Sequence, residues 1–98
     1  MTQLRFTREA LADIDGLTDF LAETDPDAAA VTVEIIVNAV EVLHQHPYIG
    51  RPIEHGLREL VISRGRTGSI ALYKFLSSRN EVLIARLRHQ LEAGYLAE

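Results

Sequence analysis

Hydrophobic positions along the chain change period part-way, and the change divides it into two parts. Leu4 and Phe6 form a short apolar segment ahead of Thr7, suited to an edge strand. Leu11, Ile14, Leu17, Phe20 and Leu21 then recur at helical spacing, with Glu9, Asp13, Asp19 and Glu23 mostly off that stripe. Thr7 suits the N-cap of this helix, and Glu9 suits the positive end of its dipole. The acidic positions read as a solvated face. Gly16 costs the helix about 1 kcal/mol relative to alanine, which predicts a close neighbour at that point.

Thr24-Asp25-Pro26-Asp27 interrupts the pattern. Asp25 can cap, Pro26 fits a first helical position, and Asp27 complements the dipole. A second helix is predicted from there to about Gln45, with Val33, Ile36, Val37, Val40 and Leu43 on its main face. Val31, Ile35 and Val42 add a second apolar flank, which predicts burial against both the first helix and a sheet. So short a connection makes the two helices an antiparallel hairpin. Residues 46–52 form an irregular loop, because Pro47 and Pro52 both resist helix.

Beyond the loop the period shortens to two. Residues 57–62, 69–76 and 81–89 read as strands, and Leu83, Ala85, Leu87 and His89 alternate with Val82, Ile84, Arg86 and Arg88. The intervening segments are too short for parallel crossovers, so an antiparallel meander is expected. Gly65 and Gly68 lie between two strands with no helix following, which makes that segment a hairpin turn rather than a phosphate loop. The order β-α-α-β-β-β predicts one α+β domain over residues 1–98. A short N-terminal strand precedes a helical hairpin packed on a three- to four-stranded antiparallel sheet.

Charge sharpens this division. Residues 57–98 hold seven Lys/Arg against four Asp/Glu, while residues 1–56 hold three against ten. The net charge of −4 opposes wholesale nucleic-acid binding but leaves room for a local basic patch on the β half. The absence of cysteine excludes disulfides, thiol catalysis and thiolate metal sites. No apolar run approaches about 18 residues and the N-terminus has no apolar leader, so a cytoplasmic location without membrane association is expected.

Several local words, taken in order, are similar to one family. They are His46-Pro47-Tyr48-Ile49-Gly50-Arg51-Pro52, then Leu57-Arg58-Glu59-Leu60-Val61-Ile62, then Ile70-Ala71-Leu72-Tyr73-Lys74-Phe75. Val82-Leu83-Ile84-Ala85-Arg86-Leu87-Arg88-His89-Gln90 closes the series. Together they resemble the RelE/ParE superfamily of toxins from type II toxin–antitoxin modules, also called plasmid-stabilisation proteins, over essentially the whole chain. The resemblance implies a small growth-inhibiting toxin held inactive by an antitoxin encoded beside it. Two branches share the fold: RelE-like members cut mRNA in the ribosome, and ParE-like members poison DNA gyrase. An inactive, antitoxin-binding member is a third possibility.

Cleaving RNA needs a base for the 2′-hydroxyl, an acid for the leaving oxygen, and cations for the phosphate. If the chain is a nuclease, the candidates are Arg58, Arg86, Arg88, His89 and Tyr95. Arg86 and Arg88 share a predicted strand face about 7 Å apart, and His89 falls on the other face. Arg86 and Arg88 otherwise read as a solvated or antitoxin-facing surface, and Arg58 with Glu59 as a cross-strand ion pair. Tyr73 in a central strand reads as core with its hydroxyl at an edge. Arg58, Tyr73, Arg86, Arg88 and His89 are the candidates for contact with a target or antitoxin. His44, His46, His55 and His89 show no zinc-like spacing, and neither metal nor cofactor is predicted. Lys74 is the only lysine. That scarcity, with the acidic balance, favours the gyrase-directed, non-enzymatic branch.

Overall fold

Two side chains start the two helices as their sequence positions require. The Thr7 hydroxyl accepts a hydrogen bond from the Ala10 N–H at 3.0 Å, opening α1 over Arg8–Ala22. The Asp25 carboxylate accepts one from the Ala28 N–H at 3.1 Å, opening α2 over Pro26–Val40 with Pro26 in its first turn. The computed structural model describes residues 2–23, 25–63 and 68–89. Its strands are β1 (Gln3–Phe6), β2 (Arg51–Pro52), β3 (Arg58–Ser63), β4 (Ser69–Leu76) and β5 (Glu81–His89). They form one sheet in the order β1-β5-β4-β3-β2.

The meander of β3, β4 and β5 is antiparallel, as its short connections demand. Among the described residues the sheet nevertheless has five strands, not three or four. β2 is a two-residue addition to β3, and β1 pairs with β5 in parallel. That parallel pairing is available because the helical hairpin supplies the long crossover between β1 and the meander. The turn from β4 to β5 closes through Asn80 at φ 50°, a left-handed conformation that asparagine tolerates better than most residues. The segment read as a Gly65/Gly68 hairpin turn falls mostly outside the described residues.

The helices lie on one face of the sheet. Leu17 and Leu21 from α1, with Ile36 and Val40 from α2, pack over Ala71, Tyr73, Val82, Ile84 and Leu87. Leu43 completes the core from a 3-10 turn over Glu41–His44, into which α2 tightens instead of continuing to Gln45. Strict alternation would place Val82 and Ile84 on one face and Leu87 on the other, yet all three are buried together. The reason is a bulge. Leu72 pairs with Arg86 and Tyr73 with Ile84, which leaves Ala85 as an extra residue in β5.

Three expectations about the helices fail on packing. Leu11 and Phe20 are exposed, because the buried stripe of α1 is Ala10, Leu17 and Leu21. The second apolar flank is covered only at Val42, which packs on the core, while Val31 is 54% and Ile35 41% exposed. Gly16 has no close neighbour, because a β-carbon built there meets nothing within 4 Å.

Candidate functional site

Asp13 organises the first of two arginine clusters. From α1 its carboxylate receives Arg86 Nε at 2.8 Å, Arg86 Nη2 at 3.0 Å and the Leu87 backbone N–H at 2.9 Å. β1 pairs β5 only as far as Ile84, so the edge of β5 beyond that point needs other partners. Thr7 supplies two of them. Its N–H donates to the Ile84 carbonyl at 3.0 Å, and its hydroxyl donates to the Ala85 carbonyl at 2.7 Å. The start of α1 thus closes the edge of the bulged strand. Burial pushes the Asp13 carboxyl up, but hydrogen bonds from Arg86 and Leu87 and the charges of Arg86 and Arg88 hold it below the ordinary aspartate value. The same bond raises the Arg86 guanidinium.

The second cluster fixes the loop that follows α2. Tyr73 is fully buried, and its hydroxyl accepts the Gly50 N–H at 2.8 Å and donates to the Pro47 carbonyl at 2.8 Å. Arg58, its partner across the β3–β4 ladder, bonds the Gly50 carbonyl at 2.8 Å and the Tyr48 carbonyl at 3.0 Å. The Arg58 guanidinium also lies 5.0 Å from the centre of the Tyr48 ring, which meets Phe75 edge-on. Burial raises the Tyr73 phenol, opposed by the bond from Gly50 and the charge of Arg58. Residues 45–49 line a shallow cavity of about 340 Å³, with Tyr48 and Ile49 exposed at its rim.

Among the described residues, the candidates Arg58, Tyr73 and Arg86 do not converge. Arg86 is exposed, as a surface residue would be, and is bound to Asp13 of α1. Arg58 does not pair with Glu59, whose carboxylate takes Arg51 at 2.7 Å. Arg58 and Tyr73 share one cluster, and Arg86 stands in the other. Arg88 is exposed near the end of β5, paired with Ile70. His89 ends β5 opposite Ser69, and its side chain lies outside the described residues, as does Tyr95. No group of three or more His, Asp or Glu suited to a metal ion occurs among the described residues.

A family model described as the ParE toxin of the type II toxin–antitoxin system parDE matches residues 4–94. The chain belongs to that family. Toxin RelE3 of Caulobacter vibrioides is 33% identical over 92 residues, covering 94% of this chain and 98% of the relative. Toxin RelE1 of the same organism is 32% identical over 83 residues, covering 85% and 87%. Among solved structures, a chromosomal ParDE system from P. aeruginosa superposes with a TM-score of 0.78 at 31% identity, covering 91% of this chain and 96% of the other. The RelBE2 toxin–antitoxin complex of Mycobacterium tuberculosis shares the fold, with a TM-score of 0.57 at 24% identity and 90% of each chain covered. The fold and the toxin class of this ParE-family chain are thereby fixed.

Sequence reasoning missed Asp13 and Gly50. Asp13 stands three residues after Ala10 and four before Leu17, the spacing of the buried stripe itself, so a carboxylate there signals a partner on the sheet. Gly50 carries no such signal. Its need for glycine arises only when Tyr73 folds against it.

Proposed function

We propose that this chain is the toxin of a toxin–antitoxin pair, that it acts by binding DNA gyrase, and that a cognate antitoxin neutralises it. The supporting observation is the prior commitment of its arginines. A phosphodiester-cleaving site needs cations free to follow charge as it develops on the phosphate. Arg86 is held by Asp13, and Arg58 is held by two carbonyls and a ring. Both act as structural ties in the folded chain, which favours binding over RNA cleavage. The likeness to a ParDE system at 31% identity supports the antitoxin partner and the ParE branch. Arg88, exposed beside the first cluster, is the side chain best placed to meet a target.

A second reading rests on the relatives named RelE: ribosome-dependent cleavage of mRNA, using Arg88 with His89 or Tyr95. One experiment separates the readings. The chain is expressed without antitoxin, and gyrase supercoiling with purified components is measured alongside mRNA ends from the same cells. Inhibited supercoiling with intact transcripts is the expected result. Unimpaired supercoiling at micromolar toxin overturns the gyrase assignment, and codon-linked cleavage on translating ribosomes replaces it. Normal growth with accumulated folded protein points to an inactive, antitoxin-binding member.

A further inference from the structure

The loop that follows α2 turns its backbone inward and its side chains outward. The Gly50 N–H and the Pro47 carbonyl both bond the Tyr73 hydroxyl, and Arg58 takes the Tyr48 and Gly50 carbonyls. The Ile49 N–H donates to the His46 carbonyl at 3.1 Å. Surface loops are commonly the mobile part of a fold. This one is tied to β3 and β4, and what it presents to solvent is apolar. Tyr48 is 60% and Ile49 55% exposed, and Pro52 is exposed just beyond them.

Two features limit what can cover this surface. The first is the shortage of backbone partners. The loop's own groups are taken, and Pro52 has no N–H to offer from the outer strand β2, so an extended segment finds no ladder to join here. The cavity of about 340 Å³ is lined by residues 45–49 and takes side chains rather than a length of chain. The second feature is charge. Arg51 is 72% exposed while the side chain of its partner Glu59 is 14% exposed, so that pair turns its cation outward. Arg58 adds a second cation against the Tyr48 ring. The nearest exposed carboxylate along the chain, Glu54, lies in the turn beyond β2 beside His55.

We infer that Tyr48 and Ile49 are a rigid anchor for a folded protein surface that has an apolar recess to receive them and carboxylates at its rim. This rests on the gyrase-binding reading above and assigns the loop to that target. A pre-organised aromatic and aliphatic pair loses little freedom on binding, which is what lets a few residues dominate a contact. Arg51 meets the acidic rim. The anchor and Arg88 stand at opposite ends of the meander. Arg58 and Tyr73 pair at one end, whereas Ser69 and His89 pair beside Ile70 and Arg88 at the other. Mutation can therefore test the two contacts separately.

The test measures inhibition of supercoiling by purified gyrase with the full chain and with Ile49→Glu, Ile49→Arg and Tyr48→Ala. Thermal melts and affinity for the product of the gene encoded beside it serve as controls. Ile49→Glu and Tyr48→Ala are expected to need at least 10-fold more toxin for half-inhibition, and Ile49→Arg clearly less extra toxin than Ile49→Glu. Melting temperature and antitoxin affinity should not change. Because Tyr48→Ala also uncovers Arg58, a lowered melting temperature in that variant leaves the two Ile49 variants to decide. Undiminished inhibition by both Ile49 variants overturns the anchor while the gyrase reading stands. Equal losses in Ile49→Glu and Ile49→Arg overturn the acidic rim. A parallel loss of antitoxin affinity assigns the loop to the antitoxin and overturns the target as occupant. Self-association of the unmodified chain, or its retention of labelled DNA, that Ile49→Glu abolishes gives the loop to a second copy or to nucleic acid and overturns the inference. Failure of the unmodified chain to inhibit gyrase overturns the proposed function, and the inference with it.

Discussion

Gly50 lies flat against Tyr73: a β-carbon at position 50 would come within 2.6 Å of both the ring and the hydroxyl. Tyr73 is fully buried and bonded on both sides, so it has no room to retreat. Gly50→Ala is expected to destabilise the fold by about 1–3 kcal/mol through overpacking. Tyr73→Phe, which strands the Gly50 N–H and the Pro47 carbonyl, should cost about 1–3 kcal/mol. Urea titrations of the three proteins measure both effects.

Asp13 links stability to pH in a definite direction. Its carboxyl titrates below the ordinary value in the folded chain, so its contribution is complete above the unfolded value of about 3.9. It is lost as pH falls through the lower folded value. Wild type should therefore exceed Asp13→Asn in stability at pH 6, and the gap should close below about pH 4. A gap that stayed constant down to pH 2.5 would contradict the ionic role.

Arg58 grips two carbonyls with one nitrogen and stacks on Tyr48, geometry that an ammonium group reproduces poorly. Arg58→Lys keeps the charge but should lose about 1–3 kcal/mol. The loop carrying Tyr48 and Ile49 should then exchange its amide hydrogens faster than in the wild type.

Gly16 sits exposed within α1 with open space where a side chain would go. Gly16→Ala should therefore stabilise the chain by up to about 1 kcal/mol, read as a rise in melting temperature.

Arg88 offers the contrasting surface case. Arg88→Ala should change stability by less than about 0.5 kcal/mol, as most exposed substitutions do. Growth arrest on expression without antitoxin should nevertheless weaken, which separates a contact residue from a structural one.

Helix starts were legible because caps are local: Thr7 and Asp25 act within three residues of themselves. The strands of the meander were legible for the same reason, since alternation and short turns are properties of neighbouring residues. What escaped was set by distant partners. The parallel pairing of Leu4 with Val82 spans most of the chain, and no local pattern announces it. The faces of α2 were misjudged because apolar side chains on a helix do not declare which of them a sheet will cover. Arg58 and Glu59 were read as a cross-strand ion pair, but they are neighbours on β3, and it is Arg51, across the β2–β3 pairing, that holds the carboxylate.

The extra residue at Ala85 makes the length of β5 a constraint of its own. Connections elsewhere can gain or lose a residue and leave the sheet unaltered. Within β5 a single deletion at Leu83 would set Val82 and Ile84 on opposite faces. Deletion of Ala85 itself would instead remove the bulge and leave Ile84 and Leu87 on one face. A tolerance map of one-residue deletions should therefore show β5 intolerant along its length except at Ala85.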